Sequence, residues 1–201
     1  MTKIGVFGGT FDPVHYGHIY LARQALSEKS LDQILVVPAR MQPFKQGQPV
    51  TPAMHRYKIV ELAFKGTGGV FICDAELKNE EVSYTIDTLR KIKKKLSPDT
   101  EIYFILGADT FLKIEKWKDP DGLLREFSFI VGTRPGYNHE ELDLFIDRVS
   151  ASFGAKVTKV KNKEIDVSST EIKEMIKSGK SLSGLVPARV ERYIYDSGMY
   201  L

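Results

Sequence analysis

Gly8-Gly9-Thr10-Phe11-Asp12-Pro13-Val14-His15-Tyr16-Gly17-His18 lies directly after the apolar run Ile4 to Phe7 and directly before Ile19, Ala22 and Leu26, which recur at helical spacing. A short β-like run, a glycine-rich turn and an amphipathic helix in that order make the first half of a βαβ unit. Gly8 and Gly9 let backbone N–H groups approach a ligand with no side chain in the way. A helix beginning near Gly17 offers unpaired N–H donors and the positive end of its dipole, so the junction reads as an anion cradle. His15 and His18 stand where two imidazole donors can converge on phosphate oxygens whose charge grows during displacement at phosphorus.

Outward from this junction the alternation continues. Further β-like runs occupy Ile34 to Val37, Val70 to Cys73, Ile102 to Leu106, Phe127 to Val131 and Lys156 to Val160, each bounded by breakers. Between them, a second helix is bracketed by Thr51 as N-cap, Pro52 at its first position and Gly66 past its end. A third spans Tyr84 to Leu96, and another runs from about Asn138 to Phe153 with Leu142, Phe145, Ile146, Val149 and Phe153 on one side. Strands alternating with helices imply an α/β, Rossmann-like, doubly wound and mostly parallel sheet with right-handed crossovers. After Val160 a polar loop leads to two short helices, near Ser169 to Ser178 and Pro187 to Asp196, ended by Gly179 and Gly198. The expectation is one domain over 1–201, with a core at 1–160 and a C-terminal helical extension at 161–201. Ligands in such sheets bind outside the carboxyl ends of the strands.

The chain has 201 residues, 42% hydrophobic and 27% charged, the composition of one ordinary globular domain. Its apolar runs are far shorter than the roughly 20 residues that cross a bilayer, and the N-terminus lacks the h-region of a secretory signal, so the expected location is cytoplasmic. The single cysteine, Cys73, forms no internal disulfide and reads as core packing. A net charge of +3 suits an anionic small molecule and is too weak to point to nucleic acid. Lys91, Lys93, Lys94 and Lys95 alternate with Ile86, Leu89, Ile92 and Leu96 at helical spacing, the pattern of a solvated helix face.

Three well-known motif readings do not fit the glycine-rich turn. A P-loop needs GxxxxGK[ST], and no lysine follows these glycines; the dinucleotide fingerprint G-x-G-x-x-G is not made by Gly5, Gly8 and Gly9. Zinc is disfavoured because His15 and His18 have no third ligand nearby, so no metal ligand is assigned.

GGTFDPVHYGH resembles the first signature of the H-x-G-H nucleotidyltransferases, and within them the bacterial nicotinate mononucleotide adenylyltransferases. Val167-Ser168-Ser169-Thr170-Glu171-Ile172 is similar to their second signature, ISSTxIR. Between these lie Ser83-Tyr84-Thr85-Ile86-Asp87-Thr88, Gly107-Ala108-Asp109, Lys116-Trp117 and Arg134-Pro135-Gly136, with Leu185-Val186-Pro187 before the last helix, all alike in order and approximate spacing. The resemblance therefore covers almost the whole chain.

It implies transfer of AMP from ATP to nicotinate mononucleotide, forming deamido-NAD and pyrophosphate, with Mg²⁺ bound to ATP and no covalent enzyme intermediate. It makes His18, His15 and Lys45 the catalytic candidates. ATP would meet Gly8, Gly9, Thr10, Phe11, His15, His18, Gly107, Asp109, Ser168, Ser169, Thr170 and Lys173. Nicotinate mononucleotide would meet Thr10, Lys45, Thr85, Trp117 and Arg134, with Trp117 as the stacking face for the ring. Each segment also has a plain reading: Ser168 with Glu171 three residues on is a capping box, Trp117 is ordinary packing, Gly107-Ala108-Asp109 is a turn. A capped helix start is itself a phosphate site, so the first of these readings is compatible with the implied role.

Two positions depart from the family pattern. Pro43-Phe44-Lys45 keeps a lysine and lacks the histidine often found before it, and Lys173 stands where the second signature ends in arginine, a point charge in place of a bidentate fork. The partners expected are ATP and nicotinate mononucleotide, with no nucleic acid, no membrane and a homo-oligomer left open. The alternatives are a phosphopantetheine adenylyltransferase or cytidylyltransferase of the same superfamily, and a nucleotide-binding regulator without turnover.

Overall fold

The computed structural model describes residues 1–41, 50–77, 82–133, 139–161 and 167–201. Six strands, β1 (Lys3–Gly9), β2 (Gln33–Pro38), β3 (Val70–Ile72), β4 (Glu101–Gly107), β5 (Ser128–Thr133) and β6 (Lys156–Lys161), pair in the order β3-β2-β1-β4-β5-β6. Every pairing is parallel, with Val6 opposite Leu35 on one side and Phe104 on the other. The order reverses between β1 and β4, and a crevice opens at the carboxyl ends of the strands on either side of such a reversal.

The helices are α1 (Tyr16–Glu28), α2 (Ala53–Phe64), α3 (Thr85–Lys93), α4 (Ala108–Phe111), α5 (Pro120–Glu126), α6 (His139–Phe153), α7 (Ser169–Lys177) and α8 (Ala188–Asp196). Because side chains alternate across a strand, each central strand feeds two cores. Ile105 and Ile130, both fully buried, join Ile19, Ile59, Ile172, Val190 and Ile194 on the face covered by α1, α2, α7 and α8. Phe104 and Phe129 point the other way, to Leu89, Phe111, Leu123, Leu142 and Val149 from α3 to α6. Each such aliphatic side chain contributes about 1.5–3 kcal/mol relative to exposure. Side chains close over the strand at Gly5, where a Cβ would fall 2.8 Å from Ile105 and 2.9 Å from Ile34 and Leu31.

The last helix, α8, is bolted to α2. Arg189 Nη2 donates to the carbonyl of Lys65 at 2.7 Å, satisfying and complementing the negative end of α2, and Tyr193 Oη lies 3.0 Å from His55 Nδ1.

Several boundaries differ from the sequence expectation. Pro52 is the N-cap of α2 rather than its first residue, because Thr51 is drawn into tertiary bonds: its carbonyl accepts from Arg56 Nε at 2.8 Å. The third helix stops at Lys93, and Lys95 and Leu96 continue as a tightened turn onto the carbonyls of Ile92 and Lys93. The expected start at Asn138 lies outside the described residues. Helical structure over 108–126 was not expected at all: α4, a 3₁₀ turn at Ile114–Lys116 and α5 fill it. The signal was present in Asp119-Pro120, since Asp119 Oδ1 accepts from Gly122 N at 3.1 Å as N-cap and Pro120 opens α5. Lys91, Lys93, Lys94 and Lys95 are exposed as read, while Cys73 is partly buried at the end of β3.

Candidate active site

β1 runs through Gly8 and Gly9, so both glycines belong to the strand end rather than to the turn, and the Gly9 carbonyl accepts from Ala39 N at 2.8 Å. Beyond them Phe11 adopts a left-handed φ of 50° and buries its ring, edge-on to Phe7 at 5.3 Å between centroids. His15 is the N-cap of α1, and its backbone N–H donates to His18 Nδ1 at 3.3 Å, which leaves the His18 ring proton on Nε2. The two imidazoles lie 3.8 Å apart between centroids. Gly17 makes this possible: a Cβ there would sit 3.0 Å from the His15 ring. The N-terminus of α1 is less open than expected, because Tyr16 N–H donates to the Leu185 carbonyl at 2.9 Å and the C-terminal extension thereby covers part of the cradle.

The second signature docks on the first. Ser168 caps α7, accepting from Glu171 N at 3.1 Å, and Glu171 accepts back from Ser168 N at 2.7 Å. Ser169 Oγ donates to the Pro13 carbonyl at 2.8 Å, and Lys173 Nζ forms an ion pair with Asp12. Thr170 is exposed on the first turn of α7. Lys173 is thus brought to the loop but is engaged by a carboxylate.

Asp12 is only 3% exposed. Besides Lys173 it accepts from Tyr200 Oη at 2.7 Å and from Thr51 N at 3.5 Å. Burial by itself would raise its pKa; the bonds from Lys173, Thr51 and Tyr200 outweigh that and hold it below the ordinary carboxylate value. Sequence reasoning missed a second buried charge, Arg56, at 1% exposure. Its guanidinium donates to the carbonyls of Thr51, Thr10, Ala39 and Arg40, tying the loop after β1 to the one after β2. Burial lowers the Arg56 pKa, and the nearby Asp12 carboxylate works against that shift. Arg56 shares its helix face with Ile59, Val60 and Ala63, all buried, and an arginine on that apolar face was the available clue.

A cavity of about 580 Å³ opens at the carboxyl ends of β1 and β4. Gly8 and Gly9 form one wall, and Thr85, Trp117 and Asp109 stand on others. Trp117 is half-buried and meets Phe104 edge-on at 6.1 Å. Thr85 opens α3, and Lys118 Nζ reaches Asp87 at 2.8 Å across the rim. Gly107 is the N-cap of α4, which replaces the expected turn and leaves Asp109 exposed on the first turn of that short helix. Glu76 also lines the cavity, accepting from Thr88 Oγ1 at 2.7 Å; burial pushes its pKa up, against the hydrogen bonds of Thr88 and Ser83. The sequence reading did not single it out. Lys45, Phe44 and Arg134 lie outside the described residues, and so do Pro135 and Gly136.

Among the described residues no group of three or more His, Cys, Asp or Glu could hold a metal ion, and no helix is long and apolar enough to cross a membrane. Residues 6–175 match the cytidylyltransferase-like family model. A "Probable nicotinate-nucleotide adenylyltransferase" of Halalkalibacterium halodurans is 39% identical over 201 residues, covering 100% of this chain and 92% of that one. The chain belongs to the nicotinate-nucleotide adenylyltransferase family. A second relative, the protein of the same name in Moorella thermoacetica, is 36% identical over 198 residues, 98% of this chain and 91% of the relative. In fold the chain is similar to the Plasmodium falciparum nicotinic acid mononucleotide adenylyltransferase solved with NaAD, at a TM-score of 0.81 and 21% identity over 100% of this chain and 98% of that one.

Proposed function

We propose that this chain transfers AMP from ATP to nicotinate mononucleotide, forming deamido-NAD and pyrophosphate, in NAD biosynthesis. The observation that carries the reading is the cavity that Gly8 and Gly9 share with Thr85 and Trp117: the strand end leading to the histidine loop and an aromatic face for a flat ring wall one space. Its volume of about 580 Å³ falls in the range of small-molecule sites.

A phosphate oxygen of the mononucleotide attacks the α-phosphorus of ATP, a new P–O bond forms, and the bond to the β-phosphate breaks in line, releasing pyrophosphate. The attacking phosphate is already ionised, so the chain's work is to position the substrates and to stabilise charge. His18 donates from Nε2 to the α-phosphate oxygens, where charge grows. His15, beside it, and the amides of Gly8, Gly9, Thr10 and Phe11 hold the neighbouring phosphates. Ser168, Ser169 and Thr170 bring the N-terminus of α7 to the same anion, with Lys173 exchanging its Asp12 partner for phosphate. Gly107 and Asp109, at the end of β4, face the nucleoside. Trp117 stacks on the nicotinate ring while Thr85 and the first amides of α3 receive its carboxylate. Lys45 and Arg134, outside the described residues, would serve as cations toward the mononucleotide by the family resemblance. Mg²⁺ arriving with ATP would supply neutralisation of the phosphate charge.

The test is pyrophosphate release with ATP, Mg²⁺ and, separately, nicotinate mononucleotide, nicotinamide mononucleotide and phosphopantetheine. Release fastest with nicotinate mononucleotide supports the reading; release fastest with phosphopantetheine or with no acceptor preference overturns the assignment of Thr85 and Trp117.

A further inference from the structure

Tyr200, the penultimate residue, reaches back across 188 positions of sequence to donate its hydroxyl proton to Asp12 in the histidine loop at 2.7 Å. Met199 before it is buried in the same core as Ile194, which anchors this segment. Tyr200 holds a left-handed φ of 68°, a backbone conformation that a bulky side chain adopts only where the surroundings demand it. Its ring also lies under the Lys173 ammonium, 5.2 Å from Nζ to the centroid. Tyr200 therefore meets both halves of the Asp12–Lys173 pair that joins the two signatures, Asp12 through its hydroxyl and Lys173 through its ring.

We infer that Tyr200 is a positioning residue for AMP transfer, acting through Asp12 on the loop that carries His15 and His18 and on Lys173. The chemistry favours this assignment over simple packing. Asp12 is too buried to touch substrate, so its carboxylate serves to hold things: Oδ2 takes Lys173 and the Thr51 amide, and Oδ1 takes Tyr200. Without the Tyr200 donor, Oδ1 is a buried charged acceptor lacking this bond, and the carboxylate is free to rotate or to draw Lys173 further in, away from the phosphates. A displacement of about 1 Å at a reacting centre is sufficient for a loss of roughly 10²-fold. The other charged group facing Asp12 is the Arg56 guanidinium from α2.

The inference rests on the proposed reaction, and the experiment separates the two. Tyr200→Phe keeps the ring over Lys173 and removes only the hydroxyl. In the full chain it is expected to lower kcat/KM for ATP about tenfold, with KM for nicotinate mononucleotide within about twofold of wild type and the melting temperature within a few degrees. The acid limb of kcat/KM for ATP is expected to move to higher pH, because Asp12 loses a donor that favours its charged form. A merely structural tyrosine would move the melting temperature and both KM values together and leave the pH limb in place. Kinetic constants within twofold of wild type at every pH, or losses that track the fall in stability, overturn the inference. If wild type releases no pyrophosphate, the proposed reaction fails instead, and calorimetric ATP binding decides Tyr200: about tenfold weaker binding in Tyr200→Phe supports it and equal binding overturns it.

Discussion

Replacing Arg56 by methionine keeps the length and apolar stem of the side chain and removes a buried guanidinium that serves the carbonyls of Thr51, Thr10, Ala39 and Arg40. Methionine donates nothing, so these acceptors lose charge-assisted bonds, and Asp12 loses a nearby cation. Breaking a buried charged network by removing one member costs about 3–5 kcal/mol, a large part of the ~5–15 kcal/mol that holds a domain folded. For a chain of this length each kcal/mol is worth about 2–4 °C, so the melting temperature should fall by roughly 10 °C. Arg56→Lys supplies a point charge that can serve only part of the set, and about half of the loss is expected. Urea unfolding, with unchanged m and lowered midpoint, gives the free energies directly. A loss below about 1 kcal/mol in Arg56→Met would show that the carbonyls find water or other donors, and the clip between the two loops would carry no weight.

Trp117→Ala should raise KM for nicotinate mononucleotide about tenfold or more while KM for ATP stays within about threefold, as steady-state titration of each substrate will show. Asp12→Asn removes a carboxylate whose pKa is depressed below 3.8; such a group stabilises the fold above that value and ceases to as pH falls through its folded pKa. Its stability deficit should therefore be full at neutral pH and shrink below about pH 4, read by urea midpoints at both ends. Glu76 has the opposite sign: raised above 4.5, its carboxyl favours the fold only while protonated and opposes it as pH rises. Glu76→Gln, which keeps an acceptor for Thr88, should be at least as stable as wild type at neutral pH and lose that advantage near pH 4; a deficit of several degrees at neutral pH would contradict the assignment.

Periodicity made the sheet legible. Phe104, Ile105 and Leu106 or Phe129, Ile130 and Val131 alternate between two cores, and continuous apolar runs are what strands buried on both faces require. The histidine loop and the Ser168 cap were legible because special residues at fixed spacing have few other uses. Arg56 was not, because its four acceptors come from loops distant in sequence, and a helix pattern does not report which carbonyls lie opposite. Tyr200 was hidden for the same reason. The stretch 108–126 was under-read because α4 is a single turn and α5 spans Pro120–Glu126, too short for periodicity to register, although Asp119-Pro120 marked a helix start. Thr51 reads locally as a cap and is claimed instead by Asp12 and Arg56, a tertiary override of local preference.

The most direct test is deamido-NAD formation by wild type and His18→Ala at saturating ATP and nicotinate mononucleotide, with melting temperature and ATP affinity measured on both. Loss of one preorganised donor to the developing charge should lower kcat about 10²-fold or more, with the fold intact. Wild-type kcat in His18→Ala would contradict the account, because the loop from Gly8 to His18 would then be a scaffold and the chemistry would lie elsewhere.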